Sequence, residues 1–438
     1  MEIDFSVLPK ILFLSVFFLF LYFLAYKKIL YSFVDPLFFW VITTSFSSVL
    51  VLEVLTDFEN VAHFFLSQAF LCAGMHFSRE KFDNVIKLKK TRKTINNFTG
   101  LSLLIVITYV LFFMYVLSNL FVGYVKGFAF FSDTPTESKI ANFRNGFGIF
   151  RKISWSAGTF VSTSFIFLLL TRKAKVDIVC LLVVIMFSSL EGSKSAIIQI
   201  AVSAGIVIYH PYFANKRSQI SSFNKYLPFV AIMAMIVFFA VLSKENDSSD
   251  EVAFAFVRRL LYSADSILYY YLPVNINYFE KYNLFDFIQR IINPLLGFLR
   301  LQPYMDAPGN IMVENIKAGN SLDSVTVGPN TPFYIEGRIY FNYWASFMYC
   351  FFLGYLFFYI RQKFFSLKTS NAFFFVFFAS FVHFASSLII DINLAITQLL
   401  DLLFFVLPFY FIISLIVDKK VVLIVPIRWK RFFLTPHR

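Results

Sequence analysis

The sequence predicts an all-α, polytopic integral membrane protein. Three observations carry that expectation. The 438 residues are 58% hydrophobic and only 15% charged, against about 45–50% and about 25% in soluble domains. A soluble globule of this composition would lack the polar surface to cover itself. The apolar residues come in long runs, most near the ~20 residues that a helix needs to cross ~30 Å of hydrocarbon. The basic residues gather at the ends of those runs, as positive-inside topology requires.

The runs place spans at about 8–26, 36–54, 60–78, 99–122, 153–171, 176–190, 195–210, 227–243, 339–360, 371–390 and 394–417, eleven in all. The first reads as a span rather than a cleavable signal. Its apolar stretch is too long, it starts with Glu2 and Asp4, and no small-x-small site follows. With the N-terminus outside, 24 of the 39 Lys and Arg fall on inner segments, whereas 21 of the 26 Asp and Glu fall outside. This orientation puts the C-terminus in the cytoplasm. The chain then divides into spans one to eight (1–243), a large periplasmic loop with amphipathic helices (244–337), and spans nine to eleven with a basic tail (338–438).

Composition also excludes several function classes. Cys72, Cys180 and Cys350 each lie inside an apolar run, and their odd number suits no disulfide framework. The net charge of +13 serves topology, because no soluble basic domain exists to bind nucleic acid. The inner loops have no room for a nucleotide-binding domain, and no GxxxxGK[ST] pattern occurs. His63, His76, His210, His383 and His437 have no HExxH or paired-Cys context, and no GxSxG elbow is present. The sequence therefore calls for no cofactor and no protein-held metal, and an enzyme here is expected to be metal-independent or to bind a metal through its substrate's phosphates. The 63 Phe read as apolar filler.

The large loop carries the polar chemistry. It opens on an acidic run at 244–251, followed by a helical-looking stretch from Val252 to Leu272. There Arg258, Tyr262 and Asp265 fall at i, i+4 and i+7 and share one face. Such a face binds a phosphate or sugar, or else Arg258 and Arg259 simply contact lipid head groups. A second amphipathic stretch, from Asn283 to Leu301, holds Arg290 and Arg300, with Pro294 and Gly297 expected to break or bend it. The tract 302–332, rich in Gly, Pro, Asn and Asp, reads as an ordered turn-rich loop.

Glu336 and Arg338 sit at the mouth of the ninth span. Charges at that depth are costly, so they pair with each other or act on a substrate. Glu191 and Lys194 flank a Gly-Ser turn between two short spans, either a plain hairpin or a broken-helix feature in which Lys194 meets phosphate. His383 and Asp401 lie within spans ten and eleven, with Asp391, Asn393 and Gln398 near the same outer end.

This combination resembles the Wzy-type O-antigen polymerases, the oligosaccharide repeat-unit polymerases. The resemblance rests on the Phe-, Leu- and Ile-rich spans, a Gly192-Ser193-Lys194-Ser195 turn, and one large outer loop in the C-terminal half. It also rests on the segment Glu336-Gly337-Arg338-Ile339-Tyr340-Phe341-Asn342-Tyr343, which is similar to the family's Gly-Glu-x-Tyr-x-Asn theme. Here the glycine follows the glutamate, and Trp344 stands where the theme has glycine.

The resemblance implies a bacterial inner-membrane enzyme with the polytopic, GT-C-like architecture of polymerases and ligases. Its substrate would be an undecaprenyl-diphosphate-linked oligosaccharide, its surroundings membrane lipids, and a chain-length regulator a candidate partner. The residues fit that chemistry. A diphosphate leaving group calls for cations, supplied by Lys194, Arg258, Arg259, Arg290, Arg300 and Arg338. An acceptor hydroxyl calls for a base, Glu336 first and Asp265 second, with Glu191 and His383 behind them. Tyr262, Tyr269, Tyr270, Tyr271 and Tyr304 offer flat surfaces for sugars. The competing expectations are a lipid-linked oligosaccharide flippase, an O-antigen ligase, and an acyltransferase or other envelope enzyme. The long loop and the lack of an internal repeat weigh against the flippase.

Overall fold

The computed structural model describes residues 8–89, 98–132, 135–142, 147–192, 196–216, 257, 260–317 and 328–418. Among them the chain is helical, with no strand and a single bridge between Thr99 and Asn371. Eight described α-helices precede the large loop: α1 (Leu8–Tyr26), α2 (Pro36–Val54), α3 (Phe58–Lys89), α4 (Leu101–Lys126), α5 (Pro135–Ala141), α6 (Gly148–Thr171), α7 (Lys175–Leu190) and α8 (Ala196–Ile208). The loop contributes α9 (Ser266–Tyr270), α10 (Pro273–Phe279), α11 (Leu284–Phe298) and α12 (Pro308–Lys317). Then follow α13 (Phe333–Phe365), α14 (Ala372–Ala385), α15 (Ile392–Phe405) and α16 (Leu407–Asp418).

Seven described helical segments are long and apolar enough to cross a membrane: α1, α2, Leu101–Phe131, α6, α13, Ala372–Ile389 and Ile392–Ile416. The chain is thus an all-α membrane protein. Helices α3, α7 and α8 stand where three further spans are expected, and the expected span 227–243 lies outside the described residues. Large apolar side chains such as Phe13, Phe113, Leu117 and Phe352 are exposed on the bundle surface, as a lipid-facing surface requires. Buried hydroxyls return to their own helices, as with Ser45 to the Val41 carbonyl at 2.7 Å and Thr163 to that of Thr159 at 2.7 Å. In lipid no water would satisfy them.

Among the described residues the core has two large parts and a small third one of Ile11, Val49 and Leu261. The first packs α4, α6, α7, α8 and α14 around Phe160, Phe165, Phe167 and Phe375. The second packs α1, α2, α3 and α13 with the loop helices α9, α10 and α12. Helix α15 belongs to both, with Ala395 in the second and Leu402 in the first. The seam between α3 and α13 is set by two glycines. A Cβ on Gly74 would meet the Phe351 carbonyl oxygen at 2.0 Å, and one on Gly354 that of Leu71 at 2.2 Å. Small residues there let two backbones touch.

The loop departs from expectation at two places. The amphipathic stretch ending at Leu272 is not one helix. It passes through a 3-10 turn at Tyr262–Ala264 into the short α9. Ser263 explains the change, bonding back to the Leu260 carbonyl at 2.7 Å and across to that of Thr43 at 3.3 Å, an alternative that competes with helical bonding. In the second stretch, Pro294 does not break α11, which runs on to Phe298. A capping box of Asn283 and Asp286 starts that helix. Arg300, at φ 57°, ends it by donating its N–H to the Gly297 carbonyl. Helix α11 exposes Phe285, Ile288 and Ile292, and buries Arg290, Asn293 and Gly297 on the opposite face.

Candidate functional site

Helix α13 is not one rod. At Asn342 the backbone takes φ 59° and ψ −178°, a region close to glycine-only. Residues 333–341 form one short helix and 343–365 the long one. The two fold against each other. Phe341 stacks on Tyr349 at 4.8 Å, and Phe287 of α11 packs against Tyr340, Phe341 and Tyr349.

That hairpin buries Glu336 completely. Its Oε2 accepts from the Tyr349 phenol at 2.9 Å, and its Oε1 from the Asn393 amide at 3.4 Å. Arg290, one helical turn beyond Phe287, enters the same region and is 4% exposed. It donates from Nη1 to the Asp306 carbonyl. Its positive charge acts on Glu336 and on Asp391. Asp391 caps α15, accepting from Leu394 N–H at 2.9 Å. Burial pushes its carboxyl above the usual range, opposed by the N–H groups of Leu394, Thr331 and Asn393 and by Arg290. Tyr340 and Arg290 act on each other, and two further buried polar atoms around this cluster, Asn393 Oδ1 and Thr331 Oγ1, have no partner among the described residues. Unpaired groups of this kind are costly unless a ligand or water meets them.

Arg338 faces the other way. Residues at i and i+2 of a helix do not share a face, and the expected Glu336–Arg338 pair does not form. Arg338 lies 3.7 Å from Glu59 and over the Tyr343 ring at 4.7 Å. It lines a cleft of about 360 Å³ with Asp57, Glu59, Tyr270, Tyr271, Glu280 and Asn342. Burial raises the Tyr270 phenol to about 12 against the pull of Arg338, so it stays a donor. The cleft offers aromatic faces, carboxylates and one guanidinium, a lining suited to a polyhydroxylated ligand.

The structure therefore brings Arg290 and Glu336 together and sets Arg338 with Tyr270 and Tyr271 on the far side of the short helix. Asp265 precedes α9 and acts electrostatically on the buried Tyr334. Tyr262 sits in the 3-10 turn. Arg300 is exposed at the end of α11, and Tyr304 is exposed beyond it. Lys194, Arg258 and Arg259 lie outside the described residues. His383 Nδ1 meets Ser203 Oγ at 3.0 Å, and Asp401 pairs with Lys152 at 2.6 Å. Among the described residues no group of three or more His, Cys, Asp or Glu could hold a metal.

Sequence reasoning missed Tyr349 and Tyr340 as partners in the cluster, and Asp57, Glu59 and Glu280 in the cleft. The first two depend on the chain reversal at Asn342. Only an asparagine, the non-glycine residue that best tolerates positive φ, hints at it.

No family model matches the chain, and neither a curated protein nor a solved structure is significantly similar to it.

Proposed function

We propose that the protein polymerises lipid-linked oligosaccharide repeat units into a surface polysaccharide. In this reading eleven spans carry a GT-C-like architecture in a bacterial inner membrane, with the N-terminus periplasmic and the C-terminus cytoplasmic. The observation that carries the reading is the hairpin at Asn342. It buries Glu336 beside Arg290 and turns Arg338 into a tyrosine-lined cleft. A polymerase of this kind needs a base for the acceptor hydroxyl, a cation for the leaving diphosphate, and a surface for sugars.

Glu336 takes the proton from the acceptor hydroxyl. That oxygen bonds to the anomeric carbon of the donor chain, and the bond from that carbon to undecaprenyl diphosphate breaks. Arg290 offsets the charge that develops on the departing diphosphate. Tyr270, Tyr271 and Arg338 hold the sugars, and Asp265 is the second candidate base. No nucleotide is consumed, because the energy lies in the lipid diphosphate bond.

Deleting the gene in its source strain and separating the lipopolysaccharide on a gel tests this. Core carrying a single repeat unit supports a polymerase. Bare core overturns it in favour of a ligase or flippase. Reporters fused near residues 85 and 215 are expected inside and one near 320 outside, and a reversal at any of them overturns the eleven-span topology.

One observation favours the flippase reading. A second cavity of about 360 Å³ lies among α6, α7, α8, α14 and α15 and is lined by serines, glutamines and His383. Polar groups inside a bundle, here set among aliphatic and aromatic side chains, are what a transporter needs. Accumulation of the lipid-linked glycan on the cytoplasmic face in the deletion strain would mark that function.

A further inference from the structure

The bundle cavity is separate from the cluster at Glu336 and from the cleft at Arg338, and shares no lining residue with that cleft. Its wall on α6 runs from Ser154 to Ser162. Those residues span about 12 Å at ~1.5 Å rise per residue. Its volume of about 360 Å³ is within the ~300–1,000 Å³ of small-molecule sites.

The lining is unusual for the inside of a helical bundle. One indole, Trp155, with Arg151 over its ring at 5.3 Å, lines it together with hydroxyl and amide groups set among aliphatic side chains, and Ser203 and His383 are bonded to each other at 3.0 Å. Two buried acceptor atoms in that lining, Glu191 Oε1 and Gln398 Oε1, receive no hydrogen bond from the described residues. Glu191 is held there by the end of α7. Gly192, at φ 76°, turns the chain there and donates to the Ser189 carbonyl at 2.9 Å. The positive charge of Lys139 acts on the carboxyl, and Ser154 and Asn119 hydrogen-bond to it, which leaves Oε1 as its open acceptor.

We propose that this cavity binds a single hydroxyl-rich sugar unit, with Trp155 stacking on its C–H face and Glu191 and Gln398 accepting from its hydroxyls. The chemistry follows from the lining. Two unpaired acceptors select a ligand rich in donors. An apolar ligand would leave both unsatisfied, at the cost of a buried polar group without a partner. An anion would meet the Glu191 carboxyl beside Lys139, so the lining offers it no uncompensated positive charge. A sugar combines several O–H donors with a face that packs on an aromatic ring. The proposal stands whether the protein polymerises, ligates or transports, because it concerns binding alone.

The test is direct binding to the full-length protein in lipid nanodiscs. The probes are free glucose, galactose, rhamnose, N-acetylglucosamine and maltose, read by tryptophan fluorescence and by the shift of the thermal midpoint. At least one sugar is expected to give a saturable fluorescence change that Trp155→Phe abolishes. Glu191→Ala and Gln398→Ala are each expected to weaken that sugar about tenfold, the effect of one lost hydrogen bond. Where Glu191→Ala fails to fold, Gln398→Ala carries the comparison. No saturable response to any of the five sugars overturns the proposal. So does an affinity unchanged in Gln398→Ala and Trp155→Phe by the thermal shift. A polymer defect in cells bears on the polymerase reading alone.

Discussion

Tyr349 donates its phenol to Glu336 at 2.9 Å although the two lie thirteen residues apart in the chain. Along a straight α-helix that separation would be about 20 Å. The contact exists because Asn342 turns the chain back on itself. The same turn sends Glu336 and Arg338, near neighbours in sequence, into two different sites.

The turn is strained, and the strain can be weighed. An asparagine at φ 59° and ψ −178° costs on the order of 1–3 kcal/mol. Asn342→Gly should keep or raise the thermal midpoint of the purified protein. Asn342→Val should lower it by several degrees and shift Tyr349 away from Glu336. A Val variant as stable as wild type would show that the turn carries no strain.

Arg290 should matter for both stability and activity. It is 4% exposed and faces two buried carboxyl groups. Removing one partner of a buried charge set costs about 3–5 kcal/mol. Arg290→Ala should lower the unfolding midpoint, and Arg290→Lys should restore much of the stability without restoring long polymer. Polymer length on a gel and folded yield separate the two effects. Long polymer from the alanine variant would remove Arg290 from the reaction. Glu336→Gln should be nearly as damaging to polymer as Glu336→Ala, since both remove the base.

A pH dependence follows from Glu191. Burial pushes its carboxyl up from 4.5 to about 7. A folded-state value above the unfolded one means that the folded protein holds the proton more tightly. The stabilisation is then fully present below pH 4.5 and lost as pH rises through about 7. The thermal midpoint of wild type should fall between pH 5 and pH 8 more steeply than that of Glu191→Gln. Parallel curves would mean that the Glu191 carboxyl titrates normally.

Asp35 and Arg361 form a buried bidentate pair, with side chains 0% and 5% exposed. Arg361 also donates to the Ile29 carbonyl at 3.1 Å and stacks on Tyr31 at 4.6 Å. Either Asp35→Ala or Arg361→Ala should cost about 3–5 kcal/mol. A double variant, Asp35→Asn with Arg361→Met, should recover part of that loss, because no charge is left unpaired. Additive losses in a double-mutant cycle would show that the pair is not coupled.

Gly354→Ala should weaken the α3–α13 seam more than any neighbouring alanine. Its Cβ would come within 2.2 Å of a backbone oxygen that cannot swing aside. Cysteine crosslinking between the two helices should lose efficiency in that variant. Unchanged crosslinking would mean that the helices tolerate the separation.

Much of this architecture was legible from residues alone. The apolar runs announced the helices, because lipid leaves no other way to satisfy a backbone. The amphipathic stretch expected from Asn283 is the helix α11, and the structure adds its capping box and its buried Arg290 face. Glu336 was also visible as a charge too deep to be idle, and Arg290 as a cation of an amphipathic stretch. Their meeting was not, since it depends on a reversal at one asparagine and on where α11 docks. The expected helix through Tyr262 failed because Ser263 finds carbonyl partners, one of them on α2, that no local pattern reveals.

The sequence by itself determined the class of the protein, its helices and its stock of polar groups. These follow from local terms, hydropathy and periodicity, that each segment carries alone. Only the tertiary structure decided which of those groups meet. It placed Glu336 with Arg290, Arg338 with Tyr270, and Glu191 with Gln398 around a common cavity. Such meetings are set by the packing of distant helices and by a single strained turn, and neither is encoded in the spacing of residues along the chain.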